Sequence, residues 1–212
     1  MKVSEKILKQ CKPAKGHVLV LKSIAANMKA YGGFQWPESG AVPAPDWKPT
    51  DECGNGLHGW LWGAGDASLR CKDYDAKWLV LSVPADSIVD LGSKVKFPSC
   101  EVVYIGDRET AVSAIQHYAP NSTAVMFITL TGGCGSTLTG GDHSTLTGGN
   151  RSTLTGGNRS TLTGGDGSVF IVKFYDFNLN TLVLRIAQVD GVKILPNIKY
   201  GLSKNLEFER VE

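Results

Sequence analysis

Charge of one sign is missing from this 212-residue sequence: 22 Lys and Arg stand against 20 Asp and Glu, a net charge of +2. That balance excludes the strongly basic surface that long nucleic acid or an anionic membrane would need. Also missing is any apolar run near the roughly 20 residues of a membrane-spanning helix. The opening MKVSEKILKQCKPAKGH has no apolar core of a secretory signal. Cys11, Cys53, Cys71, Cys100 and Cys134 are too widely spaced for a C-x-x-C pair or a disulfide framework. Together these absences point to a reducing cytoplasm. No membrane partner, resident metal or cofactor is expected. Hydrophobic content of 42% still allows a packed core, so the chain is globular rather than disordered.

Glycine, by contrast, is plentiful and patterned. From Gly132 to Gly167 the chain reads GGCGSTLT, GGDHSTLT, GGNRSTLT, GGNRSTLT and then GGDG, an eight-residue unit in four tandem copies. Repetition of that regularity sets the architecture. In an extended STLT, alternate side chains share a face. Leu138, Leu146, Leu154 and Leu162 favour burial, so Ser and Leu point inward. Thr137, Thr139, Thr145, Thr147, Thr153, Thr155, Thr161 and Thr163 then point outward, where β-branched residues suit a strand. Gly-Gly followed by Asp142, Asn150, Asn158 or Asp166 suits a sharp corner.

One octad is too short to close a turn around an interior; two give a sixteen-residue coil with two strands and two corners. Stacked coils would place like residues about 4.8 Å apart along the axis, and the two Thr of one strand about 6.8 Å apart. Ile128-Thr129-Leu130-Thr131 continues the pattern upstream. Ser168-Val169-Phe170-Ile171 ends it with apolar residues in place of Thr, so that strand is expected to be covered. From Ala124 to Ile171 this makes about three coils. The same logic places Arg151 and Arg159 at corners on opposite sides, solvated.

The STLT octads with their glycine corners resemble the repeats of bacterial ice nucleation proteins. The resemblance implies a β-solenoid and a Thr face that binds ice or ordered water. Where that family carries a recurring tyrosine beside the glycines, this chain has Cys134, Asp142, Asn150, Asn158 or Asp166, and Leu replaces its Gln between the two Thr. GGDGSVF also resembles the start of a calcium-binding nonapeptide, but the period is eight and Thr stands where the ligating Asp belongs.

Before the repeats, Ser4 is placed to cap a helix ending near Cys11 and Pro13. Strands are expected at His17–Lys22, Lys77–Val83 and Glu101–Ile105, with a helix after Asp107 whose apolar face is Ala111, Ala114, Ile115 and Tyr118. Tyr31 to Pro49 reads as a Gly- and Pro-rich loop, and Cys53 to Gly63 as a Gly- and Trp-rich one. All five Trp fall between Trp36 and Trp78. After the repeats, two apolar runs flank DFNLN as a hairpin, and Asp190-Gly191 turns toward VKIL. The expected architecture is an α+β domain over 1–121, a short β-solenoid over 122–171 and a β-meander cap over 172–212. The two flanking parts would cover the ends that a solenoid leaves unpaired.

Residues Phe34–Pro37 (FQWP), Gly56–Gly63 (GLHGWLWG) and Val89–Phe97 (VDLGSKVKF) resemble an uncharacterised domain family of phage and bacterial genomes. That resemblance implies phage ancestry and no particular mechanism. Chemically, His58 is the candidate catalytic residue, with Asp46, Glu52 or Asp66 to orient it and Lys94 or Arg70 to hold an anion. The alternative is that the glycines make turns, the Trp residues make a core and His58 bonds to backbone. Cys53, His58 and Cys71 fit no usual zinc spacing. Trp36, Trp47, Trp60 and Trp62 could stack a base or sugar, or pack as core.

The leading expectation is therefore a non-enzymatic binding and assembly protein of phage type, forming a homo-oligomer. Its Thr-faced solenoid would self-associate while the Trp-rich domain takes a host protein or a small nucleotide, such as an immune signal. The alternatives are ice or ordered-water binding through the Thr ladders, and an enzyme using His58 on a nucleotide.

Overall fold

The structure, a computed structural model, describes residues 3–176 and 180–212. The chain is mostly β and divides into two compact units, Met1–Val125 and Met126–Glu212.

In the first unit, α1 (Glu5–Cys11) begins where the Ser4 hydroxyl accepts the Ile7 N–H, as its position in the sequence predicts. Seven antiparallel strands follow: β1 (His17–Ile24), β2 (Gly40–Pro43), β3 (Leu57–Leu61), β4 (Lys77–Pro84), β5 (Val89–Asp90), β6 (Val95–Phe97) and β7 (Ser99–Gly106). Their order is β2-β7-β4-β1-β3-β6-β5, an open sheet. Leu19, Val20 and Leu21 of β1, like Leu79, Val80 and Leu81 of β4, are all fully buried. A central strand covered on both faces needs an unbroken apolar run, which is what HVLVL and WLVLSV supply. Helix α2 (Arg108–Tyr118) packs on β1 and β4 through Ala111, Val112, Ala114 and Ile115. Asp107 caps it by accepting the Thr110 N–H at 2.8 Å.

Two stretches expected as loops hold strands. β2 lies in the Gly- and Pro-rich segment as a sheet edge, where Pro43 leaves no ladder donor unmet in the interior. β3 lies inside GNGLHGWLWG and pairs antiparallel with β1. A Cβ on Gly59 would collide with Val20 and sit 2.8 Å from the Leu21 carbonyl oxygen. That glycine marks a close approach to the neighbouring strand rather than a turn.

In the second unit, the octads form β8 (Thr129–Thr131), β9 (Thr137–Thr139), β10 (Thr145–Thr147), β11 (Thr153–Gly156) and β12 (Thr161–Thr163), followed by β13 (Val169–Asp176). Successive strands alternate between two sheets. β8, β10 and β12 pair in parallel, and so do β9, β11 and β13. Thr145 faces Thr129 on one side and Thr161 on the other, a step of sixteen residues each way. Leu146, Leu154, Leu162 and Phe170 are fully buried between the sheets.

The C-terminal strands are not one meander. β14 (Thr181–Gln188) pairs antiparallel with β13, whereas β15 (Lys199–Leu202) pairs with β12 and carries β16 (Phe208–Arg210) beside it. Each thus closes a different sheet, because each sheet ends on its own unpaired strand. Tyr200 and Phe208 lie against Phe170 at 6.1 Å between ring centroids, sealing the last octad. The VKIL segment forms no strand; instead Asp190 accepts the N–H groups of Val192, Lys193 and Ile194. Residues 177–179 of the expected DFNLN turn lie outside the described residues.

Candidate functional site

Each octad position has a separate physical task. The serine is not simple filler. Ser144, Ser152, Ser160 and Ser168 are buried. Ser160 Oγ accepts the Ser144 N–H at 3.2 Å and donates to the Gly141 carbonyl at 3.1 Å. Ser168 does the same for Ser152 N–H and the Gly149 carbonyl. An internal hydroxyl ladder therefore satisfies backbone groups that the corners remove from water. The first glycine leaves room for that serine: a Cβ on Gly148 would sit 2.6 Å from Ser152 Cβ. The second glycine lets one step stack on the previous one: a Cβ on Gly149 would sit 2.7 Å from Cys134 N.

The third position forms a ladder outside. Asp142 Oδ1 accepts the Asn158 N–H at 2.8 Å, and Asn150 Oδ1 accepts the Asp166 N–H at 3.1 Å. Residues at the fourth position turn left-handed: φ is 57° at His143, 58° at Arg151 and 55° at Arg159. Phe127 occupies the same place one step earlier, at φ 61°, and stacks on His143 with centroids 5.4 Å apart.

These corners hold the Thr side chains in file. On the β8-β10-β12 sheet, Thr129, Thr145 and Thr161 form one row and Thr131, Thr147 and Thr163 the next. On the other sheet Thr137 pairs with Thr153 and Thr139 with Thr155, after which Val169 and Ile171 continue the rows. All of these Thr are exposed or half-buried while the Leu between Thr153 and Thr155, or Thr161 and Thr163, is fully buried. Each Thr offers a hydroxyl that donates and accepts, and a methyl.

The residues singled out in the first unit are dispersed. Trp36 and Trp60 are core, at 2% and 4% exposure. Trp60 stacks on Trp78 and donates its indole N–H to the Asp66 carbonyl; Trp36 packs edge-on against Phe34 under the Lys22 ammonium. Trp47 lies beneath Lys96, and Trp62 is half-buried at φ 52°. Arg70 donates to the Ala67 carbonyl. It also borders an open groove whose other charged residues are Lys72, Lys77 and Arg108 against Asp73, Asp75, Asp107 and Glu109, so neither sign of ligand is selected. Cys53, His58 and Cys71 do not gather: among the described residues no group of three His, Cys, Asp or Glu could hold a metal ion.

His58 lies on β3, half-buried, with Nε2 accepting the Gly54 N–H at 3.4 Å. Asp66 caps the turn Ala67–Leu69, Asp46 accepts from Asn55, and Glu52 gives its carbonyl to Lys96. The charges acting on the imidazole are instead lysines. Burial, then Lys94, Lys22 and Lys96, push it down to about 4. Lys22 donates to the His58 carbonyl at 2.9 Å, and burial holds its own ammonium down to about 8. Between pH 4 and the ordinary histidine value near 6.5 the unfolded chain takes up a proton that the folded chain rejects. Stability therefore rises with pH across that window and is lost as pH falls through it. The expected loss from pH 7 to 4 is on the order of 2 kcal/mol after allowing for the half-exposed ring. Urea titrations of the parent and His58→Gln should show that extra slope in the parent alone. Parallel profiles would remove His58 as the cause.

The family model for a domain of unknown function, DUF7666, matches residues 18–130. The chain belongs to that family. The DUF7666 protein is also 38% identical over 109 residues to the ice nucleation protein InaU of Pantoea ananas, covering 50% of this chain and 10% of the relative. It is 41% identical over 100 residues to the ice nucleation protein of Pseudomonas fluorescens, covering 46% of this chain and 8% of that one. Against an ice nucleation protein of Pseudomonas syringae it is 43% identical over 95 residues, 44% of this chain and 8% of the relative. It thus matches about a tenth of the length of these relatives. No solved structure matches it. Among the described residues, no helix is long and apolar enough to cross a membrane.

Proposed function

We propose that the octads wind as a β-solenoid of about three sixteen-residue coils whose Thr rows bind ice or ordered water. The observation that carries this reading is the in-register file of six Thr on the β8-β10-β12 sheet. Regular repeats of one strand spacing by two strand rises, about 4.8 by 6.8 Å, present hydroxyls and methyls on a fixed two-dimensional grid. Water held on such a grid is ordered before it meets a crystal. The rigid Ser and Asx ladders keep the grid from relaxing. The similarity to ice nucleation proteins supports the same reading. The array is small, so adsorption to existing crystals fits it better than nucleation from liquid.

Association through the repeats is the second reading, and the same relatives support it. The nucleotide-binding and His58 enzyme readings gain no support from the contacts around Trp36, Trp60 and His58.

The test is ice-crystal shaping in a nanolitre osmometer. Replacing Thr145, Thr147, Thr161 and Thr163 with Lys should abolish faceting while leaving the fold intact by circular dichroism. Unshaped, disc-like crystals with the parent protein would end the proposal.

A further inference from the structure

Strand β14 is the last strand of its sheet, and its far edge has no neighbour among the described residues. It is eight residues long, contains no proline, and carries one charge, Arg185. That charge is half-buried and turned back onto its own chain, donating to the Leu184 carbonyl at 3.1 Å. Natural edge strands are usually blunted by lysine, proline, a bulge, an inward-pointing charge or a covering segment, and of these β14 has only Arg185, which pairs with buried Val172 on the inner face. Its outward face carries Leu182, Leu184 and Ile186 at 57%, 49% and 65% exposure.

We infer that this edge pairs with the same edge of a second copy, antiparallel about a two-fold axis through Leu184. The observations favour a copy of this chain because the strand is complementary to itself. In an antiparallel pair, opposite residues share a face. With Leu184 on the axis, Leu182 meets Ile186 twice and Leu184 meets itself, an all-apolar outward row. Arg185 then lies opposite Val183. Moving the axis to residue 185 would set Arg185 against Arg185, and like charges directly opposite are unfavourable. The one charge beside the outward row is Lys173 of β13, which pairs with Leu184 on the same face.

The size of the edge sets the strength. Eight residues a side is short of the roughly 20–30 of a standard interface, so the pair forms reversibly and with concentration. The two-fold lies perpendicular to the sheet, so the outward faces of both copies point the same way. Thr137, Thr139, Thr153 and Thr155 of one copy then share a continuous eight-stranded sheet face with their counterparts, since each sheet contributes β9, β11, β13 and β14.

This pairing rests on the assembly reading above, moving the contact from the repeats to β14, and is independent of ice binding. Sedimentation equilibrium of the full chain should show mass rising from one copy toward two as concentration increases to about 1 mM. Leu184→Lys places two ammonium groups across the axis and should hold the mass at one copy, as should Leu184→Glu alone. An equimolar mixture of the two variants should recover the two-copy mass. A parent that stays at one copy would overturn both this inference and the assembly reading. A Leu184→Lys variant that pairs like the parent, or a mixture that fails to recover, would overturn the edge alone.

Discussion

Gly157→Ala is expected to destabilise the repeat unit by about 3 kcal/mol, and Gly133→Ala by less than about 0.5 kcal/mol. The two glycines hold the same octad position. A Cβ on Gly157 would lie 2.5 Å from Asp142 N and 2.7 Å from Gly141 C, both backbone atoms of the preceding step. Neither can swing aside as a side chain would. Relief needs the steps to part, which lengthens the Gly157 N–H bond to the Gly141 carbonyl and the Asn158 N–H bond to Asp142. Gly133 has nothing within 4 Å of its added Cβ. Denaturant unfolding followed by far-ultraviolet circular dichroism measures both. Equal losses would show that the second glycine serves chain flexibility and not stacking.

Lys96→Ala is expected to cost the DUF7666 unit about 3–4 kcal/mol. Lys96 is fully buried, an uncommon place for a lysine. Its ammonium donates to the Glu52 carbonyl at 2.8 Å, to Thr50 Oγ1 at 3.2 Å and to the Gly54 carbonyl at 3.4 Å. It thus replaces secondary structure as the fastening of the 50–54 segment, and Trp47 covers it from one side. Truncation removes the packed stem and leaves three acceptors without their donor. Lys96→Met keeps most of the stem, so it separates the two contributions. Amide exchange should accelerate across residues 50–56 in both variants, and the unfolding midpoint should fall further for Ala. A Met variant with parent-like exchange would show that packing, not the ammonium, holds the segment.

Much of the repeat unit was legible because one rule governs every octad. Alternation put Leu inside and Thr outside, and a coil of two octads predicted the pairing of Thr145 with Thr161. The serine ladder was not legible. A small inward polar residue reads the same whether it fills space or bonds to a corner, and only the neighbouring step supplies its partners. The same limit hid the division of β14 and β15 between two sheets: local pattern marks a strand but not the edge it joins. In the first unit, glycine concealed β3. Gly56 and Gly59 break the apolar alternation that announces a strand, and the reason for Gly59 lies on β1, far away in sequence. Of the four Trp that the sequence left open between a stacking pocket and core packing, Trp36 and Trp60 are core; clustering in sequence says nothing about facing. His58 stood out as a lone histidine among glycines, and its ring turned out to accept from the Gly54 backbone.

Because consecutive octads fall in alternate sheets, the array has a parity. Deleting a single octad would send every later strand to the opposite sheet, so that β8 would share a sheet with β13 and β14 rather than with β12 and β15. Deleting two would only shorten the stack by one step, leaving all downstream partners in place. Gain and loss of copies should accordingly be tolerated in even numbers, so that tract length in related chains grows by sixteen residues at a time.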